Sequence, residues 1–593
     1  MTTRPGTPDL TSRQFAAGLL FVLLLAALVR GLFPAADPPW ESTVGIVWHD
    51  EGAWVHNARN RALWGTWRTD QWNPVFVAPV FTGLEYAAFR AFGVGTWQAR
   101  TIPAVSGLLA VALLAVGLGT LGGPRPALIG AALLATNYAF VMWNRAALME
   151  STMTAFIVAS WAAYAFAPRR PVAGLAAGLA AALAWFTKAS AAFFVAALIL
   201  DAQATLALSR SARLRGVIDV ERPSAAAVRA AGWTLAGVAG AATVVALAFV
   251  VPHWSDYQFY NWEMSVTRKP EYTLRSMLDR ASWLPIVTDF FTRMWLVTSV
   301  AALGITVIAV RWRTARPGER LLVWWVLLGL AELVVHDAGN ERRYVMLIPA
   351  LVAVTALVLG TRGPVGPRVE EAARFSRWAA LPLVLLLAYL TTGSLLRLLS
   401  VGEIRQPVRL SAAAAALASV LVMWRWSGIW NWLSTQQVTT RAAAGLVTIA
   451  IAGDLWQYGR WAQQRTYVNY EASVALRDVL ADGTLVHGKL ANGLSLENRI
   501  KPIFVGRGFG NYTDRMTRDD VRYILTYIAP SVGYESQRQN PVIQDVLDAY
   551  PNRKIIMTFD VAETATGQDR AALIDKFGTA GSTHGQTTGR ANH

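Results

Sequence analysis

FAAGLLFVLLLAALVRGL, residues 15–32, is the stretch on which the fold turns. Its only charge is Arg30, near the end, and its length approaches the roughly 20 apolar residues that a helix needs to cross a bilayer. Arg4 and Arg13 precede it. Many further runs of the same kind follow, so it reads as an anchor that stays in place rather than a cleaved leader. With the two arginines held inside, the chain emerges near Phe33, and residues 34–100 form an extracytoplasmic first loop.

Comparable runs recur near 101–121, 126–143, 151–167, 172–187, 190–207, 230–251, 291–310, 320–336, 344–361, 378–396, 407–424 and 439–456. Together with the first they predict about thirteen spans. An odd number puts the chain beyond about 457 on the side of the first loop. The basic clusters agree, because Arg169-Arg170, Arg210 to Arg215, Arg311 to Arg320 and Arg362 to Arg377 all fall on loops assigned to the inside.

Composition points the same way. Of 593 residues 54% are hydrophobic and only 16% charged, against roughly 25% charged in an ordinary globular domain. Mean hydropathy is +0.34. Twenty-five Trp and 22 Phe exclude a disordered chain, and the absence of cysteine excludes disulfide scaffolds and thiol chemistry. The net charge of +16 does not indicate a nucleic-acid binder, since it resides in short inside loops rather than on a basic-aromatic module.

Past Asp454 the sequence turns polar. Glu471 to Leu480 has helical spacing, and Thr484 to His487, Pro502 to Val505, Val521 to Tyr527 and Lys554 to Phe559 read as strands. The predicted organisation is a membrane domain over 1–456, a small extracytoplasmic α/β domain over 457–577 and a disordered tail over 578–593. Having its own periods, the α/β domain is expected to be dispensable for folding of the membrane part.

Polar residues at extracytoplasmic helix ends are where chemistry can reside. Trp48-His49-Asp50-Glu51 is followed by Asn57, Arg59, Asn60 and Arg61 at helical spacing. The carboxylate pair suits three roles: metal ligand, general base, or cap of the helix that begins near Gly52.

These residues, with Asn57 to Gly65, Trp72-Asn73-Pro74, Pro79, Phe89 to Gly93 and Arg100 to Gly107, resemble the first-loop signature of the C-type glycosyltransferase superfamily. Within it they are most similar to the branch of protein O-mannosyltransferases and lipid A aminoarabinose transferases. Asn144-Arg145 with Glu150, the segment Gly174 to Lys188, and Glu341 to Tyr344 leading into Pro349 extend the resemblance over residues 12–360. It implies a polytopic α-helical membrane protein and an inverting transfer of a hexosyl or pentosyl group. The sugar would pass from a polyprenyl phosphate to a glycan, lipid or protein acceptor at the outer face of a cell membrane, such as a bacterial inner membrane.

The resemblance assigns the acceptor-side carboxylate to Asp50, with Glu51 beside it. A hydroxyl needs such a group within hydrogen-bond reach to become a good nucleophile. A departing polyprenyl phosphate needs cations. Candidates are Arg342, Arg343 and Tyr344, Arg268 and Lys269, Arg59 and Arg61, Lys188, and less directly Arg145. Topological anchoring or snorkelling is the alternative for each. One departure stands out: where many members carry a basic residue ahead of the prolines, this chain reads Phe76-Val-Ala-Pro79.

No metal or other cofactor is expected to be required. His49, His56, His253 and His336, with Asp50, Glu51 and Glu85 nearby, leave a divalent ion open, but no zinc-protease pattern occurs. Trp254, Tyr257, Phe259, Tyr260, Trp262 and Tyr272 suit either sugar stacking or an interfacial aromatic belt. Gly506 to Gly510 reads as a turn. The rival classes are a transporter or lipid-linked sugar flippase, for which paired repeats are missing, and an inert scaffold.

Overall fold

The computed structural model describes residues 10–39, 49–218, 222–267, 273–279, 282, 294–336, 341–361, 381, 384–385, 388–389, 391–392, 407–429, 439–506, 510–529, 541–561 and 569–578. Arg268, Lys269 and Tyr272, most of the predicted span 378–396, residues 507–509 of the glycine turn and the tail beyond 578 lie outside the described residues.

Helix α1 (Ser12–Gly31) begins at a capping box in which Thr11 and Gln14 satisfy each other's backbone N–H groups. Two short helices, α2 (His49–Trp54) and α3 (His56–Trp64), then α4 (Pro79–Phe92), are the α-helices of the first loop among the described residues. α4 starts on a proline at its first position and stops at Gly93, whose φ of 83° suits glycine. α5 (Thr96–Gly122) is followed by α6 (Pro124–Thr136) and α7 (Tyr138–Asn144), which are bent by 62° at Asn137. Two groups hold that break: the Asn137 side chain accepts from Phe140 N at 3.0 Å, and Asp454 accepts from Tyr138 N at 3.0 Å.

α8 (Met149–Phe166), α9 (Ala173–Thr187) and α10 (Ala192–Arg210) follow, then apolar helices at Ala225–Val245, Trp295–Val310, Pro317–His336, Ile348–Gly360, Pro407–Trp424 and Thr440–Gln464. Small residues let some of these approach closely. A Cβ on Gly178 would lie 2.3 Å from Thr234 O, and one on Gly237 2.4 Å from Leu175 O, so α9 and the helix Ala225–Val245 meet backbone to backbone. Among the described residues four helices are long and apolar enough to span a membrane, or five with the bent pair counted as one; Ala173–Thr187, Trp295–Val310, Ile348–Gly360 and Leu410–Trp424 are shorter apolar helices.

After the helix Val468–Val479 comes a five-stranded mixed sheet in the order β2-β1-β3-β5-β4. Its strands are β1 (Leu485–His487), β2 (Lys501–Ile503), β3 (Tyr523–Ala529), β4 (Lys554–Val561) and β5 (Asp569–Asp575). β1 pairs in parallel with β2 and β3, while β5 runs antiparallel to β3 and β4. Four strands match the expected ones. β5 was not foreseen, because Ala571-Ala572 carries neither β-branching nor alternation, yet an interior strand needs only apolar side chains on both faces, and these are fully buried.

This α/β unit is bound tightly to the first loop. Arg59, fully buried, donates to Ser495 O, Asn498 O and Ile500 O at 2.9–3.0 Å. Asp37 accepts from Thr466 Oγ1 and Val468 N at 2.7 and 2.8 Å, and Glu497 accepts from Thr96 N at 2.6 Å. Removing the unit would leave this buried guanidinium without its acceptors.

Candidate active site

α2 is six residues long, too short to be stable by itself, so neighbours must set its position. Glu51 is taken up in this way. It receives both arms of Arg100, at 2.8 and 2.7 Å, and also Ala147 N at 2.7 Å. Arg100 in turn donates to Pro34 O and Ala36 O at 3.0 and 2.7 Å. Glu51 thus fastens the acidic helix to α5 and to the turn ahead of α8, a positioning task that its place beside Asp50 did not reveal.

Asp50 faces elsewhere. Arg342, in the turn Glu341–Met346 nearly three hundred residues away, donates from Nη1 to Asp50 Oδ2 at 2.8 Å. Its Nε stands 3.5 Å from Glu150 Oε1 at the start of α8, and the same carboxylate is ion-paired with Lys188 at the end of α9. Asp50, Arg342, Glu150 and Lys188 form a chain of alternating charge across four separate elements. Side-chain exposures of 14% for Asp50, 17% for Arg342 and 14% for Lys188 leave these three partly accessible, whereas Glu150 at 3% is buried. Burial, opposed by Glu150 and reinforced by Arg342 and Arg343, brings the Lys188 ammonium down to about 8. Among the described residues Glu150 Oε2 has no hydrogen-bond partner.

The remaining candidates divide. Arg343 donates to His336 O at 2.7 Å, beside the chain of charges. Tyr344 is buried in the main apolar core. Arg59 belongs to the α/β unit, and Arg61 is exposed, donating to Gly65 O at the end of its own helix. Arg145 serves α1: it donates to Val29 O, Arg30 O and Phe33 O at 2.7–3.1 Å, using the unsatisfied carbonyls of that helix end. Among the described residues Arg59, Arg61 and Arg145 are thus engaged away from the cluster.

Nothing in the described side chains brings His56, His253 and His336 together, and the side chain of His49 lies outside them. His56 lies between Asp70 Oδ1 at 2.9 Å and Asn492 Nδ2 at 3.1 Å, His253 approaches Phe249 O, and His336 approaches Glu332. Among the described residues no group of three His, Cys, Asp or Glu side chains is placed to hold an ion. Glu85 is fully buried on α4 with no hydrogen-bond partner among the described residues; burial, then the charge of Glu51, holds it well above the usual carboxylate range.

The aromatic segment packs on the first loop. Tyr260 Oη accepts from Asn73 N and donates to Gln71 O, and its ring lies 5.8 Å from that of Phe76. Trp254 and Trp262 remain exposed. Arg68, which the sequence reading passed over, lies with its guanidinium 4.7 Å from the Phe76 ring and pairs with Asp256. It thereby brings a cation to the place where a basic residue is missing before Pro79. Glu150 was read only as part of a motif, because an acidic residue in a first helical turn is explained by the helix dipole alone.

The family model of dolichyl-phosphate-mannose-protein mannosyltransferases matches residues 77–218. That family lies in the C-type glycosyltransferase superfamily, which the first-loop motifs also resemble. No curated protein sequence gives a match. Among solved structures, ArnT from Cupriavidus metallidurans bound to undecaprenyl phosphate is 16% identical with a TM-score of 0.48, covering 96% of this chain and 98% of that one. The apo state of the same protein is 15% identical with a TM-score of 0.49, covering 94% and 98%. The oligosaccharyltransferase AglB from Archaeoglobus fulgidus, in complex with an inhibitory peptide and a dolichol-phosphate, is 13% identical with a TM-score of 0.46, covering 94% and 74%.

Proposed function

We propose that the protein is an integral-membrane glycosyltransferase that moves a hexosyl or pentosyl group from a polyprenyl phosphate to an acceptor at the extracytoplasmic face, with inversion. The observation that carries this reading is the contact between Asp50 and Arg342 within a partly exposed chain of alternating charge. The match to a family that uses a dolichyl-phosphate sugar supports the donor class.

In this reading the acceptor hydroxyl attacks the anomeric carbon, its proton passes to Asp50, and the bond from that carbon to the phosphate oxygen breaks on the opposite face. The leaving polyprenyl phosphate gains charge, and Arg342, Lys188 and Arg343 neutralise it. A bound donor phosphate competes for Arg342 and so releases the Asp50 carboxylate to act as base. Arg68 takes the part of the basic residue absent before Pro79, and Glu150 Oε2 is available to a sugar hydroxyl. Arg268 and Lys269 stay candidates for the carrier phosphate. The apolar helices, with the predicted span 378–396, make up the proposed thirteen crossings, with both the first loop and the α/β unit outside.

The test is to incubate the purified protein with a panel of polyprenyl-phosphate sugars and detect transfer or hydrolysis. Turnover of one of them supports the reading, and EDTA is expected to leave that turnover intact because the cations are side chains. No turnover with any donor, together with movement of the carrier across vesicles, would establish the rival transporter.

A further inference from the structure

The C-terminal unit touches the acidic helix at one point where no side chain fits. A Cβ on Gly52 would lie 1.9 Å from the Asn492 carbonyl oxygen, 2.7 Å from its carbon and 3.2 Å from Gly493 Cα. Both sides of this contact are backbone, so neither yields by a change of rotamer.

The segment that offers this backbone is itself held firmly. The short helix Lys489–Gly493 runs into a loop in which Asn498 Nδ2 donates to Leu494 O and Ser473 O at 2.6 and 2.9 Å, and Ser473 Oγ donates to Leu494 O at 2.8 Å. From the first loop, Arg59 reaches three carbonyls of the same loop. His56 bridges Asn492 and Asp70, and Asp70 Oδ2 accepts from Phe504 N at 2.9 Å.

Helical geometry links the contact to chemistry. Successive residues of a helix are about 100° apart around its axis. Glu51, bound to Arg100 and Ala147 N, fixes where α2 lies. It does not by itself fix the rotation of so short a helix, and that rotation decides whether Asp50 meets Arg342 or swings away. Gly52 against Asn492–Gly493 adds a constraint about 100° further round the helix, beside the bond that Trp72 Nε1 donates to Ala53 O at 2.7 Å.

We propose that the Asn492–Gly493 backbone is a seat for the acidic helix, which makes Gly52, Asn492 and Arg59 positioning residues for transfer and the α/β unit a working part of the active site. The proposal rests on the reading of Asp50 as acceptor-side base. It assigns the C-terminal unit a task in the chemical step rather than in donor capture.

The experiment compares Gly52→Ala with Asp50→Asn in the full chain, measuring melting temperature, binding of a polyprenyl-phosphate sugar, and kcat and KM per folded molecule. A shift of about 1 Å in a catalytic group typically costs on the order of 100-fold in rate. Gly52→Ala is therefore expected to lose about 100-fold in kcat with donor affinity and KM unchanged. A folded Gly52→Ala protein with wild-type kcat, beside an inactive Asp50→Asn, would overturn the seat and leave the functional reading standing. Normal turnover by Asp50→Asn would overturn both. Should Gly52→Ala fail to fold, Arg59→Lys decides: a loss in kcat at constant donor affinity supports the seat, and an unchanged kcat refutes it.

Discussion

Two polar clusters of similar composition lie in the helical part. One joins Asp50, Arg342, Glu150 and Lys188. The other, toward the opposite end of the helices, joins Asp201 to Arg320 at 2.9 and 3.2 Å and to Tyr164 Oη at 2.7 Å, with Thr205 Oγ1 at 3.4 Å from the same arginine. In the second, a bidentate pair and a phenol occupy a carboxylate that is only 1% exposed. That is how a charge is made tolerable inside an apolar bundle. In the first cluster the charges alternate across four elements and three of the four side chains stay partly exposed. Similar residue types thus act as a bolt in one place and offer a site in the other: Arg320 at 19% is as exposed as Arg342 at 17%, and what differs is access to the carboxylate, Asp50 at 14% against Asp201 at 1%.

The strongest way to break this comparison is to neutralise one carboxylate in each cluster. Asp50→Asn is expected to bind donor and melt like wild type yet lose about 100-fold to 10,000-fold in transfer, the usual cost of a missing general base. Near-normal turnover would reduce Asp50 to an acidic residue in the first turn of α2, worth about 0.3–1 kcal/mol against the helix dipole. Asp201→Asn is expected to do the reverse. It should lose about 3–5 kcal/mol of stability, as when one partner of a buried pair is removed, with turnover per folded molecule unchanged. A stable but inactive Asp201→Asn protein would erase the distinction between bolt and site.

A finer test uses pH. Because burial lowers Lys188 to about 8, its positive charge is present below that value and is lost as pH rises through it. Donor affinity is expected to fall across this window in wild type and to stay flat in Lys188→Arg, as measured by titration with a polyprenyl-phosphate sugar. An identical profile for both proteins would remove Lys188 from the phosphate site.

The smallest effect concerns Glu85. Its folded pKa lies above the ordinary 4.5, so the folded state holds a proton that the unfolded state releases, and stability declines as pH rises from that ordinary value toward the folded one. Glu85→Gln should keep transfer activity and flatten this decline, seen as a melting temperature that depends less on pH. A loss of transfer with unchanged melting would instead draw Glu85 into the site.

Much of the architecture was legible in the chain. The apolar runs marked the helices found at Ser12–Gly31, Thr96–Gly122 and Ala225–Val245, because an amide in lipid must bond within its own helix and the side chains must be apolar all round. Four of the five strands were legible from alternation, whereas β5 carried no such pattern. The site was legible in part. Asp50, Arg342 and Lys188 were named, but nothing in their spacing indicated that Glu150 would stand between two of them. Glu51 and Arg59 looked like members of the same motif, and proved to be tied to Arg100 and to carbonyls of the α/β unit.

What the sequence by itself determined is therefore the set of elements that bury apolar surface, since that depends on the chemistry of each segment and its solvent. Which charges are used up and which remain accessible was decided only by the tertiary structure. Arg59 and Arg342 are the same residue, and each gains its meaning from the group brought to face it: three carbonyls for one and the Asp50 carboxylate for the other. Losing one partner of an exposed ion pair costs little, whereas losing one partner of a buried pair strands a charge out of water, so burial and partner, which are properties of the assembled fold, set the role of each charge.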